Sequence, residues 1–236
     1  MEMIRKFVFL RARQDVTRDA FVETVKGSYA KLLTSSDTFW KYSDRLVLSI
    51  SLPAQPGVAV DPMWDAIIET WEKPRKSPLV TYHDEDDYRT TVKAAEDEFA
   101  DSEHTMRFLA KEHIVIGGDR TGVKTLSMPR RRSGLTPIEF SEHYGAHGEL
   151  VKQNPAFVQY ARRYVQHHRI ADSVSRPVEF IPYDGISEFW FDTLADARAA
   201  WGDPLYMAQL RVDEKNFVGN PPSARLIVEE FEFTKG

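Results

Sequence analysis

The chain has 236 residues, 42% hydrophobic and 28% charged, with a formal net charge of −5 at pH 7, so it has no electrostatic pull toward nucleic acid or an anionic membrane. It contains no cysteine, which excludes disulfides, thiol nucleophiles and cysteine-ligated zinc or iron–sulfur centres and fits a reducing compartment. No apolar run approaches the ~18 residues of a membrane span, and the short run Phe7–Leu10 is flanked by charge. The N-terminus is therefore expected to be a strand rather than a signal peptide, and the protein cytoplasmic.

In chain order, a strand is expected over 3–12. Thr17 then caps a helix carrying Phe21, Val25, Tyr29 and Leu32 at helical spacing. A strand at 39–51 follows, then the proline- and glycine-rich loop 52–62, a strand at 64–72, a charged helix at 84–100 and a strand at 106–116. The turn-like GGDRTG (117–122) leads to a second series. This has a strand at 123–130, a helix at 136–152 with Thr136 as N-cap, Pro137 at the first helical position and Glu139 at the third, and strands at 157–169 and 184–192. Helices at 194–201 and 204–217 precede a final strand at 224–234. Each series is β-α-β-β-α-β, the split βαβ of ferredoxin-like folds.

The two series share residues. WDAIIETW (64–71) matches YDGISEFW (183–190), pairing Asp65 with Asp184, Glu69 with Glu188 and Trp71 with Trp190 at an offset of 119. Phe39, Tyr42, Arg45 and Val47 match Phe157, Tyr160, Arg163 and Val165 at 118, and Asp97–Glu98 match Asp213–Glu214 at 116. A nearly constant offset far longer than solenoid periods implies tandem duplication, with domains at 1–118 and 119–236. A four-stranded sheet with helices on one face needs cover for the other, and two such sheets can cover each other. The fold class expected is α+β: two tandem ferredoxin-like domains forming an intrachain α+β barrel.

The second series resembles the EthD family of dimeric α+β barrel proteins. The resemblance rests on Arg130-Arg131-Arg132 followed by SGLTP, on Phe140, on HYGAHGELV with Tyr144 and His147, on YVQHH (164–168), on YDGISEFWFD, and on VDEKNF (212–217). It covers roughly 123–233. The first series keeps the strand signatures and loses the polar ones: Ser28 stands opposite His147, Val25 opposite Tyr144, and DEKNF is read as shortened to Asp97–Phe99. The resemblance implies a site without cofactor, between helix and sheet of the second domain, the first domain closing the barrel and shaping the pocket.

Phe140, Tyr144, His147 and Val151 fall at i, i+4, i+7 and i+11, one helical stripe facing the sheet. An imidazole on that stripe is the leading candidate for a general base or acid, because histidine titrates near neutrality. Asp213 is placed to orient it and Tyr144 to assist a departing hydroxyl. Tyr160, Tyr164 and His168 share one face of a strand, with His167 on the other. With Trp190, Asn216 and Phe217 they form the expected substrate-binding set. Glu69 and Glu188, kept in both series, are structural. HxxxH (His143, His147) lacks the partners of a zinc site, so no metal is expected. Gly-rich phosphate loops, a GxSxG elbow and a Rossmann fingerprint are absent from the sequence.

Together with the His147 stripe, the resemblance implies a cofactor-free, dehydratase-like lyase acting on an aromatic or polyketide-like hydroxy-carbonyl compound through His147. A cofactor-free monooxygenase or isomerase, or a non-catalytic small-molecule-binding accessory protein, are the alternatives. The expected partner is that small molecule alone, with no nucleic acid or membrane, and the protein a monomer with an intrachain pseudo-dimer or a homodimer.

Overall fold

The computed structural model describes residues 3–59, 63–77, 79–170, 183–219 and 224–235; the end of the loop read at 52–62 lies outside them. The first half comprises β1 (Ile4–Leu10), α1 (Arg18–Thr24), which continues through a π-helical turn (Val25–Tyr29) into α2 (Ala30–Thr34), then α3 (Asp37–Tyr42), β2 (Ser43–Ser51), β3 (Ala66–Glu72), a second π-helical turn (Tyr88–Val92) running into α4 (Lys93–Phe99), and β4 (Met106–Ile116). The second comprises β5 (Val123–Met128), α5 (Pro137–Gln153), α6 (Pro155–Val158), β6 (Ala161–Arg169), β7 (Gly185–Phe191), α7 (Leu194–Gly202), a π-helical turn (Tyr206–Leu210) into α8 (Arg211–Glu214), and β8 (Ala224–Thr234).

All eight strands close into one antiparallel barrel in the order β1-β3-β2-β8-β5-β7-β6-β4. The first-half strands lie as β4-β1-β3-β2 and the second-half strands as β8-β5-β7-β6, the same order counted within each half. The halves join through β2–β8 and β4–β6. The registers agree as well: Val8 and Leu48 both face Ile68, as Ser127 and Gln166 both face Ser187.

Two expectations need correction. The segments read as the starts of strands at 39–42 and 157–160 hold short helices, because Ser36 and Asn154 cap them by accepting from the Phe39 and Phe157 amides. The caps satisfy first-turn N–H groups that a strand would give to a neighbour, and one helical face still buries Phe39 and Phe157. The DEKNF segment, in turn, is not shortened in the first half. The π-helical turns that lead into α4 and α8 each begin at a tyrosine, Tyr88 and Tyr206, and Phe99 packs on Phe21 as Phe217 packs on Phe140. The register is therefore 118, with Glu96 opposite Glu214 and Asp213 opposite Ala95.

Strand alternation divides the side chains into layers. The barrel interior holds an apolar cluster including Phe7, Phe9, Ile67, Phe108, Leu126, Met128 and Ile186. Outside, α1–α4 cover the first-half sheet through Phe21, Val25, Leu46, Leu48 and Ile68, and α5–α8 cover the second through Val151, Phe157, Tyr164, Phe189 and Trp201. Each such buried side chain contributes roughly 1.5–3 kcal/mol.

Toward one end, the interior turns ionic. Arg5 bonds Glu69 at 2.6 Å and Glu112 at 2.8 Å and lies 3.4 Å from the Trp71 ring centroid. Lys124 meets Glu188 at 2.6 Å, Glu69 at 2.8 Å and Glu230 at 3.0 Å. Burial, reinforced by the facing Glu188, pushes Glu69 up to about 7. Glu69 and Glu188 thus have the structural role read from the sequence, holding the two half-sheets in one register through charges that are expensive to leave unpaired.

Candidate active site

Helix α5 sets the geometry. The Thr136 hydroxyl accepts from the Glu139 amide while Glu139 accepts from the Thr136 amide, with Pro137 at the first position. This capping box fixes where the helix starts and so which residues face the sheet. Phe140, Tyr144, His147, Gly148 and Val151 are its buried residues, the stripe read from the sequence. Gly148 is required by closeness: a Cβ there would stand 2.7 Å from the Gln166 side-chain oxygen. Gly185 likewise gives way to the Tyr144 ring, 2.8 Å from where its Cβ would stand.

Between this stripe and the sheet lies a cavity of about 330 Å³, at the lower end of the range for small-molecule sites. His147 borders it, with Nδ1 2.9 Å from Asp213 Oδ2. An ionised carboxylate only accepts, so neutral His147 carries its hydrogen on Nδ1 and keeps the Nε2 lone pair. Asn216 steadies Asp213 by donating to Oδ1 at 3.2 Å. The Phe217 ring, 5.2 Å away, covers the imidazole.

A hydroxyl chain faces the same space. Gln166 Nε2 donates to the Tyr144 carbonyl at 2.6 Å and to the Tyr164 hydroxyl at 2.8 Å. Tyr164 and Tyr144 both reach the Ser187 hydroxyl, at 3.4 and 2.6 Å. When both donate, Ser187 has accepted twice and its own hydrogen is free for the cavity. Burial raises Tyr144 and Tyr164 well above the usual phenol range, so they remain protonated donors. Trp201, Tyr206, Arg211, Glu214 and Arg225 complete the wall with Gly57, Val58 and Ala59. Those last three come from the first half, on a loop held by Arg198 Nε donating to the Pro56 carbonyl at 3.3 Å.

Of the residues read as a site, His147, Tyr144, Tyr164 and Phe217 line the cavity, and Asp213 joins them through its bond to His147. Four are displaced. Trp190 points into the barrel, donating to Glu230 at 2.9 Å; strand alternation puts it with Ile186 and Glu188, and Ser187 and Phe189 on the helix-facing side. His168 shares the face of Tyr164 and Gln166 but lies behind Tyr144, ring centroids 4.8 Å apart, bonded to Ser141 at 2.8 Å. Burial, aided by His113, depresses it to about 4. Tyr160 sits in the turn before β6, packed against the second-half core. Asn216 is exposed and acts only on Asp213. His143 is also exposed, and no cluster of potential metal ligands occurs among the described residues. Arg131 pairs with Asp184, a structural use of the arginine run. Sequence reasoning did not assign Ser187, Tyr206, Trp201, Arg211, Glu214 or Arg225; alternation sets Ser187 opposite Ile186 and Trp190, but a strand buried on both sides does not show which face meets the helices.

Residues 132–221 match the family model described as EthD domain. No curated protein matches the chain by sequence. Among solved structures, an anthrone oxidase-like protein aligns with a TM-score of 0.64 at 10% identity, covering 100% of this chain and 94% of that one. A putative monooxygenase from Lactobacillus acidophilus NCFM gives 0.53 at 10% identity, covering 100% and 98%. A mutant chlorite dismutase from Candidatus Nitrospira defluvii gives 0.53 at 10%, covering 96% and 91%. At such identity the likeness is one of fold: an eight-stranded α+β barrel. No helix among the described residues is long and apolar enough to cross a membrane.

Proposed function

We propose, from the match of residues 132–221 to the EthD domain model, that the chain is an enzyme acting, without a cofactor, on an aromatic or polyketide-like hydroxy-carbonyl compound. His147 is its base and loss of water its outcome. The observation that carries the reading is the His147–Asp213 pair at 2.9 Å on the wall of a cavity of about 330 Å³. Nε2 takes a proton from the carbon beside the carbonyl, and the C–H electron pair becomes an enolate. Ser187, backed by Tyr144 and Tyr164, donates to the enolate oxygen. Asp213 stabilises the imidazolium, which then protonates the hydroxyl on the neighbouring carbon. That C–O bond breaks, the double bond forms and water leaves, with the base restored. One histidine serves both transfers when hydrogen and hydroxyl leave from the same face, and aromatic walls hold a flat ring system.

A second reading keeps the same enolate and lets it react with dioxygen. It is favoured by the names of the fold neighbours, an anthrone oxidase-like protein and a putative monooxygenase. Mass spectrometry of aromatic hydroxy-ketones incubated with the protein, beside an oxygen electrode, separates the two. Loss of one water without oxygen uptake supports dehydration; oxygen uptake with an oxidised product supports the second. No turnover in either assay, with the compounds bound, would leave a binding protein.

The shared strand order and register support reading the halves as a tandem duplication, with domains at 1–118 and 119–236. In that reading the second domain carries the chemistry, and the first closes the barrel and lends the Gly57–Ala59 loop.

A further inference from the structure

Arg107 and Arg225 hold corresponding places in the two halves: Arg107 faces Val8 across β4–β1, and Arg225 faces Ser127 across β8–β5. Their surroundings differ. Arg107 is neutralised, bonding the Glu96 carboxylate and the Tyr88 hydroxyl. Around Arg225 the same residue types recur as Glu214 and Tyr206, but the carboxylate is turned elsewhere. Glu214 pairs with Arg211 and accepts from Tyr206 at 2.8 Å. The exchange traces to residue 211, since the corresponding Lys93 pairs with Asp97 and leaves Glu96 to Arg107.

Arg225 is therefore left with a buried Nε that has no hydrogen-bond partner, and no carboxylate among the described residues lies within ion-pair distance of it. Its guanidinium sits 3.9 Å from the Trp201 ring centroid, and both side chains border the cavity that holds His147. Burial lowers its proton affinity, a pull that Tyr206 and Glu214 oppose. A half-buried cation with no carboxylate in contact is costly to keep out of water, and a site that keeps one facing a cavity is complementary to an anion. The planar fork matches a carboxylate, and the indole beneath it holds the fork flat.

We propose that Arg225 receives a carboxylate carried by the substrate, which narrows the substrate class to aromatic hydroxy-carbonyl acids. This rests on the reading of the same cavity as the substrate site.

The test is equilibrium binding by calorimetry with two matched probes, an ortho-hydroxynaphthoate and the neutral ortho-acetylnaphthol. Wild-type protein should prefer the acid. Arg225→Gln should weaken acid binding roughly ten- to hundredfold, the range of a charge-assisted hydrogen bond, and leave the neutral probe nearly unchanged. Arg225→Lys keeps the charge without the fork; it should fall between the two and serves in place of Arg225→Gln if that variant does not fold. Equal affinity of the wild type for both probes, or equal weakening of both by the substitution, overturns the proposal. If no compound is turned over while acid binding still depends on Arg225, the proton-abstraction reading fails and this one stands.

Discussion

The helix-facing layers of the two half-sheets are built on the same register and filled to opposite ends. In the first half, Val25, Leu46, Leu48 and Ile68 belong to one closed apolar cluster. The corresponding places in the second hold Tyr144, Tyr164, Gln166 and Ser187, tied to one another by hydrogen bonds. A groove does run beside the first-half helices, past Ser28 and Phe99, but none of the four aliphatic residues lines it. The fold thus asks only that these positions be filled and their polar atoms paired. Four buried aliphatic side chains are worth roughly 1.5–3 kcal/mol each, whereas each hydrogen bond of the polar set returns about 0.5–1.5 kcal/mol. The second half gives up packing energy and has a cavity in its place.

The sharpest way to break that comparison is to remove the groups that differ. His147→Ala should lower kcat/KM by about 10²–10⁴-fold, the usual worth of a general base, and Ser28→Ala should leave it unchanged. Equal losses would mean that both halves serve one site. Arg107→Met should destabilise the protein by about 3–5 kcal/mol, because it leaves the buried Glu96 carboxylate without its cation. Arg225→Met, which removes an unpaired charge, should leave the melting temperature unchanged or raise it. Similar drops for both would show Arg225 to be paired in solution.

A pH series probes His168, whose place in the first half is taken by Ile50. Its folded pKa of about 4 lies below the ~6.5 of an unfolded histidine. The unfolded chain therefore takes up the proton first. The associated stability is complete above about pH 6.5 and is lost as pH falls toward 4, by at most about 3 kcal/mol before allowance for partial exposure. Glu69, raised to about 7, acts in the opposite direction over this range, but it is present in both proteins and cancels in the comparison. His168→Ile should flatten the acid-side fall in melting temperature relative to wild type; parallel curves would remove His168 as its source. The smallest effects are expected at Tyr160→Phe and Asn216→Ala. Neither residue borders the cavity, so turnover should stay close to wild type, Asn216 changing it only as far as it steadies Asp213.

Much of the candidate site was legible because a helix with a capping box has a fixed phase. Once Thr136 starts α5, Phe140, Tyr144, His147 and Val151 can only share a face, and Asp213 was the carboxylate at hand. Trp190 went astray because a strand covered on both sides carries no polar face to betray its orientation: Gly185–Phe191 is buried throughout. His168 was given the correct face and the wrong neighbour, since Tyr144 stands between it and the cavity.

By itself the sequence determined the order of the strands and of the main helices, the barrel and the stripe that carries His147, because these follow from local periodicity, capping residues and an offset that recurs along the chain. Only the tertiary structure decided which carboxylate neutralises which arginine, that the Gly57–Ala59 loop of the first half walls the cavity of the second, and that Ser187 rather than Trp190 faces it. Those outcomes depend on side chains from separate elements meeting within a few ångströms, and spacing along one strand or helix does not encode such meetings.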